Sequence, residues 1–65
     1  MTEFWLVYYK QRLLGQDVWT EANDVTDMSP TEFVIDMQTN FPTYESILCW
    51  ATPISRPQYD RYQER

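Results

Sequence analysis

Glu3-Phe4-Trp5-Leu6-Val7-Tyr8-Tyr9-Lys10 is apolar at even and odd positions alike, and its aromatic and β-branched residues suit a pleated strand. Side chains alternate across a sheet, so Phe4, Leu6 and Tyr8 point one way while Trp5, Val7 and Tyr9 point the other. A strand apolar on both sides belongs at the centre of a sheet. Both of its faces then require cover.

Outward from this run, the only glycine, Gly15, marks a turn within Gln11 to Gln16, where Leu13 and Leu14 read either as a lid on the core or as exposed contacts. A weaker second strand follows over Asp17 to Asn23, with Val25 open as a continuation. Its mixed polarity suits a sheet edge. Val18, Thr20 and Ala22 share one face, and Trp19, Glu21 and Asn23 the other. Asn23 to Met28 reads as a connection.

Ser29-Pro30-Thr31-Glu32 is a helix start: a capping serine, a proline at the first helical position and a glutamate three residues after the cap. At 3.6 residues per turn, Pro30, Phe33, Val34, Met37 and Phe41 form the stripe to be buried. Ile35 falls outside it, among Thr31, Glu32 and Thr39. Pro42 stops the helix near Asn40 or Phe41. Tyr44 to Ile54 is the third strand, with Ile47, Cys49 and Ala51 on one face and Leu48, Trp50 and Thr52 on the other. Pro53 confines it to an edge.

Strand, strand, helix, strand (ββαβ) implies an α+β fold: a three-stranded antiparallel sheet of order 2-1-3, with one helix packed on one face. Residues 1–55 form this single domain, and residues 56–65 an arm or a short helix in which Tyr59 and Tyr62 dock back. The small side chains Thr20, Ala22, Cys49 and Ala51 leave room for the helix, which is expected over Phe4, Leu6, Tyr8, Val18 and Ile47. Trp5, Trp19 and Trp50 then gather on the opposite face with Val7, Tyr9 and Leu48. That face must be covered by the arm, by a second copy of the chain or by another protein.

The chain has 65 residues, near the lower limit for a core without disulfides or metal. Its single cysteine forms no internal bridge and reads as a buried structural thiol. No apolar run is long enough to span a bilayer and the N-terminus has no secretory pattern, so a cytoplasmic protein is expected. Net charge is −5, and no lysine or arginine occurs between Leu13 and Ser55, a stretch that holds Asp17, Glu21, Asp24, Asp27, Glu32, Asp36 and Glu45. Such a field disfavours direct binding of nucleic acid and attracts basic surfaces.

Histidine is absent, so the commonest general base and zinc ligand is missing. One glycine excludes phosphate-cradling loops. Glu21, Asn23, Asp24 and Asp27 lack the spacing and central glycine of a calcium loop. Paired carboxylates for glycoside chemistry require a deep cleft that so small a domain does not offer. The expectation is therefore no enzyme, no cofactor and no metal.

In its layout of the run Glu3–Lys10, the helix Ser29–Phe41 ending in Phe41-Pro42 and the strand Ser46–Thr52, the chain resembles small acidic accessory proteins of bacteriophages. The resemblance implies a host-takeover or anti-defence protein, of anti-CRISPR, anti-restriction or transcription-inhibitor type, that acts in the host cytoplasm by occupying a surface. From the residues, the candidate partner-binding set is Trp5, Trp19, Trp50 and Ile35 as apolar anchors, with Asp17, Glu21, Asp24, Asp27, Glu32 and Asp36 facing a basic surface of a nucleic-acid-handling protein. The alternative is a homodimer through the tryptophan face, with acidity serving solubility.

Overall fold

The structure, a computed structural model, describes residues 3–64. The elements are β1 (Phe4–Leu13), β2 (Thr20–Thr26), α1 (Pro30–Asn40), β3 (Tyr44–Ile54) and α2 (Arg56–Gln63). The sheet order is β2-β1-β3, and both pairings are antiparallel. The α+β class and the central position of the opening run are as expected. Of the two readings of the last residues, the short helix is the one formed, so the element order is ββαβα and the single-helix ββαβ layout is corrected.

Strand β2 starts later and ends later than its composition suggests. Val18 is exposed before the strand begins, whereas Val25, open as a continuation of the strand, and Thr26, read as part of a connection, are buried in it. They pair with Leu6 and Trp5 of the long central strand, and this burial outweighs the turn preference of Asn23 and Asp24. Gly15 does hold the preceding turn, with φ of 90°.

Cross-strand partners share a face, so the register assigns every side chain. Trp5, Val7, Tyr9 and Gln11 lie on one side with Thr26, Asp24, Ala22 and Thr20 of β2 and with Pro53, Ala51, Leu48 and Ser46 of β3. Helix α1 packs on this side, chiefly over β3 and β1. Phe33 meets the Tyr9 ring at 5.8 Å between centroids, and Val7 is fully buried. Gln11 Nε2 donates to Ser46 Oγ and to Met37 Sδ, both at 3.1 Å, which joins β1, β3 and α1 at one amide.

The expected placement of the helix over Phe4, Leu6, Tyr8, Val18 and Ile47 is therefore corrected: it covers the other side of β1, although Ala22 and Ala51 do flank it. The cause lies two residues beyond the apolar run. Lys10 and Arg12 continue the Phe4-Leu6-Tyr8 face, and burying their charges under a helix is costly. Gln11 continues the other face and is satisfied there.

A second correction concerns β3. Its register jumps between Tyr8, opposite Trp50, and Tyr9, opposite Leu48, leaving Cys49 as an unpaired bulge residue. The bulge changes the parity, so Leu48 and Ala51 share the α1 side while Ile47, Trp50 and Thr52 share the other. Cys49 is exposed rather than a buried thiol. Deleting Cys49 removes the extra residue without moving any other side chain to the opposite face. Thermal unfolding of this deletion variant should stay within about 1 kcal/mol of wild type. Loss of cooperative unfolding would show that the bulge itself is required.

Helix α1 begins as its sequence dictates. Ser29 Oγ accepts from the Glu32 amide at 3.3 Å, and Pro30 opens the first turn. Of the expected stripe, Phe33 is buried and Pro30, Val34 and Met37 are half-buried, but Phe41 is exposed. Pro42 ends the helix at Asn40, so Phe41 leaves the helical phase, with φ of −128° and ψ of 68°. The Gln38 side chain also clamps the start of β3, donating to the Tyr44 carbonyl and accepting from the Ser46 amide, the latter at 3.0 Å. It shields part of an edge that would otherwise be open for pairing.

Helix α2 starts with a complete capping box. Ser55 Oγ accepts from the Gln58 amide, while Gln58 Oε1 accepts from the Ser55 amide at 2.9 Å. It packs on the side opposite α1, against β1 and β2, with Tyr59 stacked on Phe4 at 4.6 Å. It covers the Phe4-Leu6-Val25 end of that side. The end around Tyr8, Ile47 and Trp50 is left exposed.

Candidate functional site

The three tryptophans do not gather. Trp5 is half-buried on the α1 side, opposite Thr26 and Pro53. Trp50 is on the α2 side, 54% exposed and stacked on Tyr8 at 5.2 Å. Trp19 precedes β2 and is capped by two cations of the α2 side: Lys10 Nζ lies 4.7 Å from the centroid of a Trp19 ring, and Arg12 Cζ 4.8 Å. Trp19 is thus engaged within the fold, and only Trp50 offers a large free surface.

The charges separate as well. Lys10 and Arg12 are on the α2 side of the sheet and Arg56 and Arg61 are on α2 itself, so every described basic side chain belongs to one side. Arg65 lies outside the described residues. Acids accompany these cations: Glu21 pairs across from Lys10, Glu45 bonds Arg12 at 3.1 Å, and Asp60 stands 3.9 Å from Arg56.

On the α1 side, Asp24 sits opposite Val7 on the outer strand, Glu32 and Asp36 are exposed on the helix, and Asp27 is in the turn leading up to it. Ile35, 60% exposed, is on the outer surface of the helix, one turn on from Glu32. Asp17 is apart, in the β1–β2 loop. The candidate set thus divides: Asp24, Glu32, Ile35 and Asp36 share the α1 side, Asp27 is in the connection between β2 and α1, and Trp19, Glu21 and Trp50 share the other side.

Beside the acidic helix a groove of ≈ 290 Å³ is lined by Tyr9, Gln11, Met37, Phe41 and Tyr44. Sequence reasoning missed it, because Phe41 is assigned to the buried stripe and Tyr44 to a strand end until the helix stop and the register are known. Burial, and then the charge of Asp24, raise the Tyr9 hydroxyl above the ordinary tyrosine range. A phenol whose pKa is raised by folding contributes stability that is present below its unfolded pKa and is lost as pH rises through the folded one. Stability against urea should therefore fall above about pH 10, and Tyr9→Phe should flatten that loss. An unchanged alkaline limb in Tyr9→Phe would assign the effect elsewhere.

Among the described residues, no group of three or more Cys, Asp or Glu side chains is arranged to hold a metal ion. No helix among the described residues is long and apolar enough to cross a membrane. Comparison with protein-family models, with curated proteins and with solved structures finds no match to this chain.

Proposed function

We propose that the chain is a non-enzymatic protein-binding module, an inhibitor or modulator, that occupies a basic surface of a nucleic-acid-handling host protein with its α1 side. The observation that carries this reading is the separation of charge: Asp24, Glu32 and Asp36 are exposed on a side that holds no described lysine or arginine, and Asp27 is exposed in the connection leading to α1. Ile35 supplies an apolar anchor amid these acids, as interfaces commonly combine a desolvated centre with a charged rim. A surface meant for phosphate is the natural complement to such a side. The resemblance to phage accessory proteins supports a host protein of the defence or transcription machinery as the target.

The test is recovery of the partner from the native cell, followed by affinity measurement with the purified pair. Raising salt should weaken binding, and Glu32→Lys with Asp36→Lys should weaken it by about tenfold or more. Trp50→Ala should leave it unchanged. Affinity indifferent to salt and to both reversals would end the proposal.

A second reading, a homodimer through the α2 side, rests on the exposure of Trp50 beside Tyr8 and Ile47. Solution mass decides it. A dimer with blue-shifted tryptophan emission that Trp50→Ala converts to monomer supports self-association, and a strict monomer opposes it.

A further inference from the structure

We infer that the groove between β1, the end of α1 and the start of β3 receives a lysine or arginine side chain of the basic partner, an inference that rests on the α1 side being the binding side. Three of its walls are the aromatic rings of Tyr9, Phe41 and Tyr44, and Met37 adds a polarizable thioether. Ring faces attract a cation placed over them, and the thioether and ring edges suit the alkyl stem of a long basic side chain. Neither lysine nor arginine lines the groove, and the Gln11 amide is already committed to Ser46 and Met37.

Two further features favour a positive occupant. Helix α1 ends at this groove with no basic residue in its last turn, so the negative end of its dipole is uncompensated where Phe41 and Tyr44 stand. The carboxylate of Asp24 acts on the Tyr9 hydroxyl at the other wall. An apolar side chain would fill the same space but would gain nothing from these charges.

The experiment follows backbone amide NMR shifts as N-acetyl-lysine methylamide, or its uncharged counterpart N-acetyl-norleucine methylamide, is added to the full chain. The lysine probe should shift Gln11, Met37 and Tyr44, with the norleucine probe about tenfold weaker. Phe41→Leu with Tyr44→Leu keeps apolar volume at two exposed positions and removes two rings. It should bring the lysine probe down to the norleucine level. Equal affinity for both probes, no response to lysine, or undiminished lysine binding in the leucine variant would each overturn the inference.

Hexalysine separates this inference from the reading beneath it. Hexalysine binding that falls in Glu32→Gln/Asp36→Gln but not in the leucine variant would reject the groove and leave the acidic side standing. Lysine-probe binding in the groove without any hexalysine dependence on Glu32 and Asp36 would keep the groove and remove that reading.

Discussion

Phe33→Ala should leave the chain largely unfolded at 25 °C. Phe33 is the buried residue of α1, and its ring meets that of Tyr9 at a tilt of 59° on the sheet face that also buries Val7. Truncating a buried phenylalanine costs about 3–5 kcal/mol. A single core of this size supplies about as much in total. Far-UV circular dichroism and urea titration should therefore show loss of cooperative structure, while Phe33→Leu, closer in volume, should lose less than about 2 kcal/mol. A Phe33→Ala protein melting like wild type would mean that the contact of α1 with the sheet does not hold the fold together.

The α2 side yields the second large effect, and it depends on position within one face. Tyr59→Ala removes the ring that covers Phe4 at the closed end and should destabilise by about 2–3 kcal/mol. Trp50→Ala deletes a larger side chain at the open end, yet it should cost under about 1 kcal/mol, because Trp50 exposes over half its surface and meets the half-open Tyr8 ring at a tilt. The reversed order of the two in urea unfolding would show that α2 does not close that end.

Much of the architecture was legible from local rules. An apolar strand flanked by two mixed ones could only be central, and Ser29, Pro30 and Pro42 bracketed the helix to its observed ends. Two features escaped, the side taken by α1 and the bulge in β3, while the short helix that was one of the two readings of residues 56–65 formed as α2. The parity of the opening run could not choose a side for α1, whereas carrying the alternation on to Lys10, Gln11 and Arg12 would have done so. The second helix announces itself in Ser55-Arg56-Pro57-Gln58, which repeats the pattern of serine, nearby proline and acid or amide seen at Ser29 to Glu32.

The bulge at Cys49 was not legible. Nothing in Ile47-Leu48-Cys49-Trp50 marks one residue as unpaired, and a single skipped position moves Trp50 across the sheet relative to Ile47. The candidate site suffered most from this. The acids were identifiable individually, but their gathering on the α1 side depends on strand register and on the side that α2 occupies.

The confinement of the basic side chains to one side has a kinetic meaning. A molecule of net charge −5 whose described cations, Lys10, Arg12, Arg56 and Arg61, stand on its α2 side carries a lopsided field, so a basic surface exerts a torque on it before contact. If the α1 side is the binding side, as proposed, such a body would turn α1 toward a basic target as it diffuses in, which would shorten the orientational search that limits most encounters. Added salt then slows arrival much more than it hastens departure.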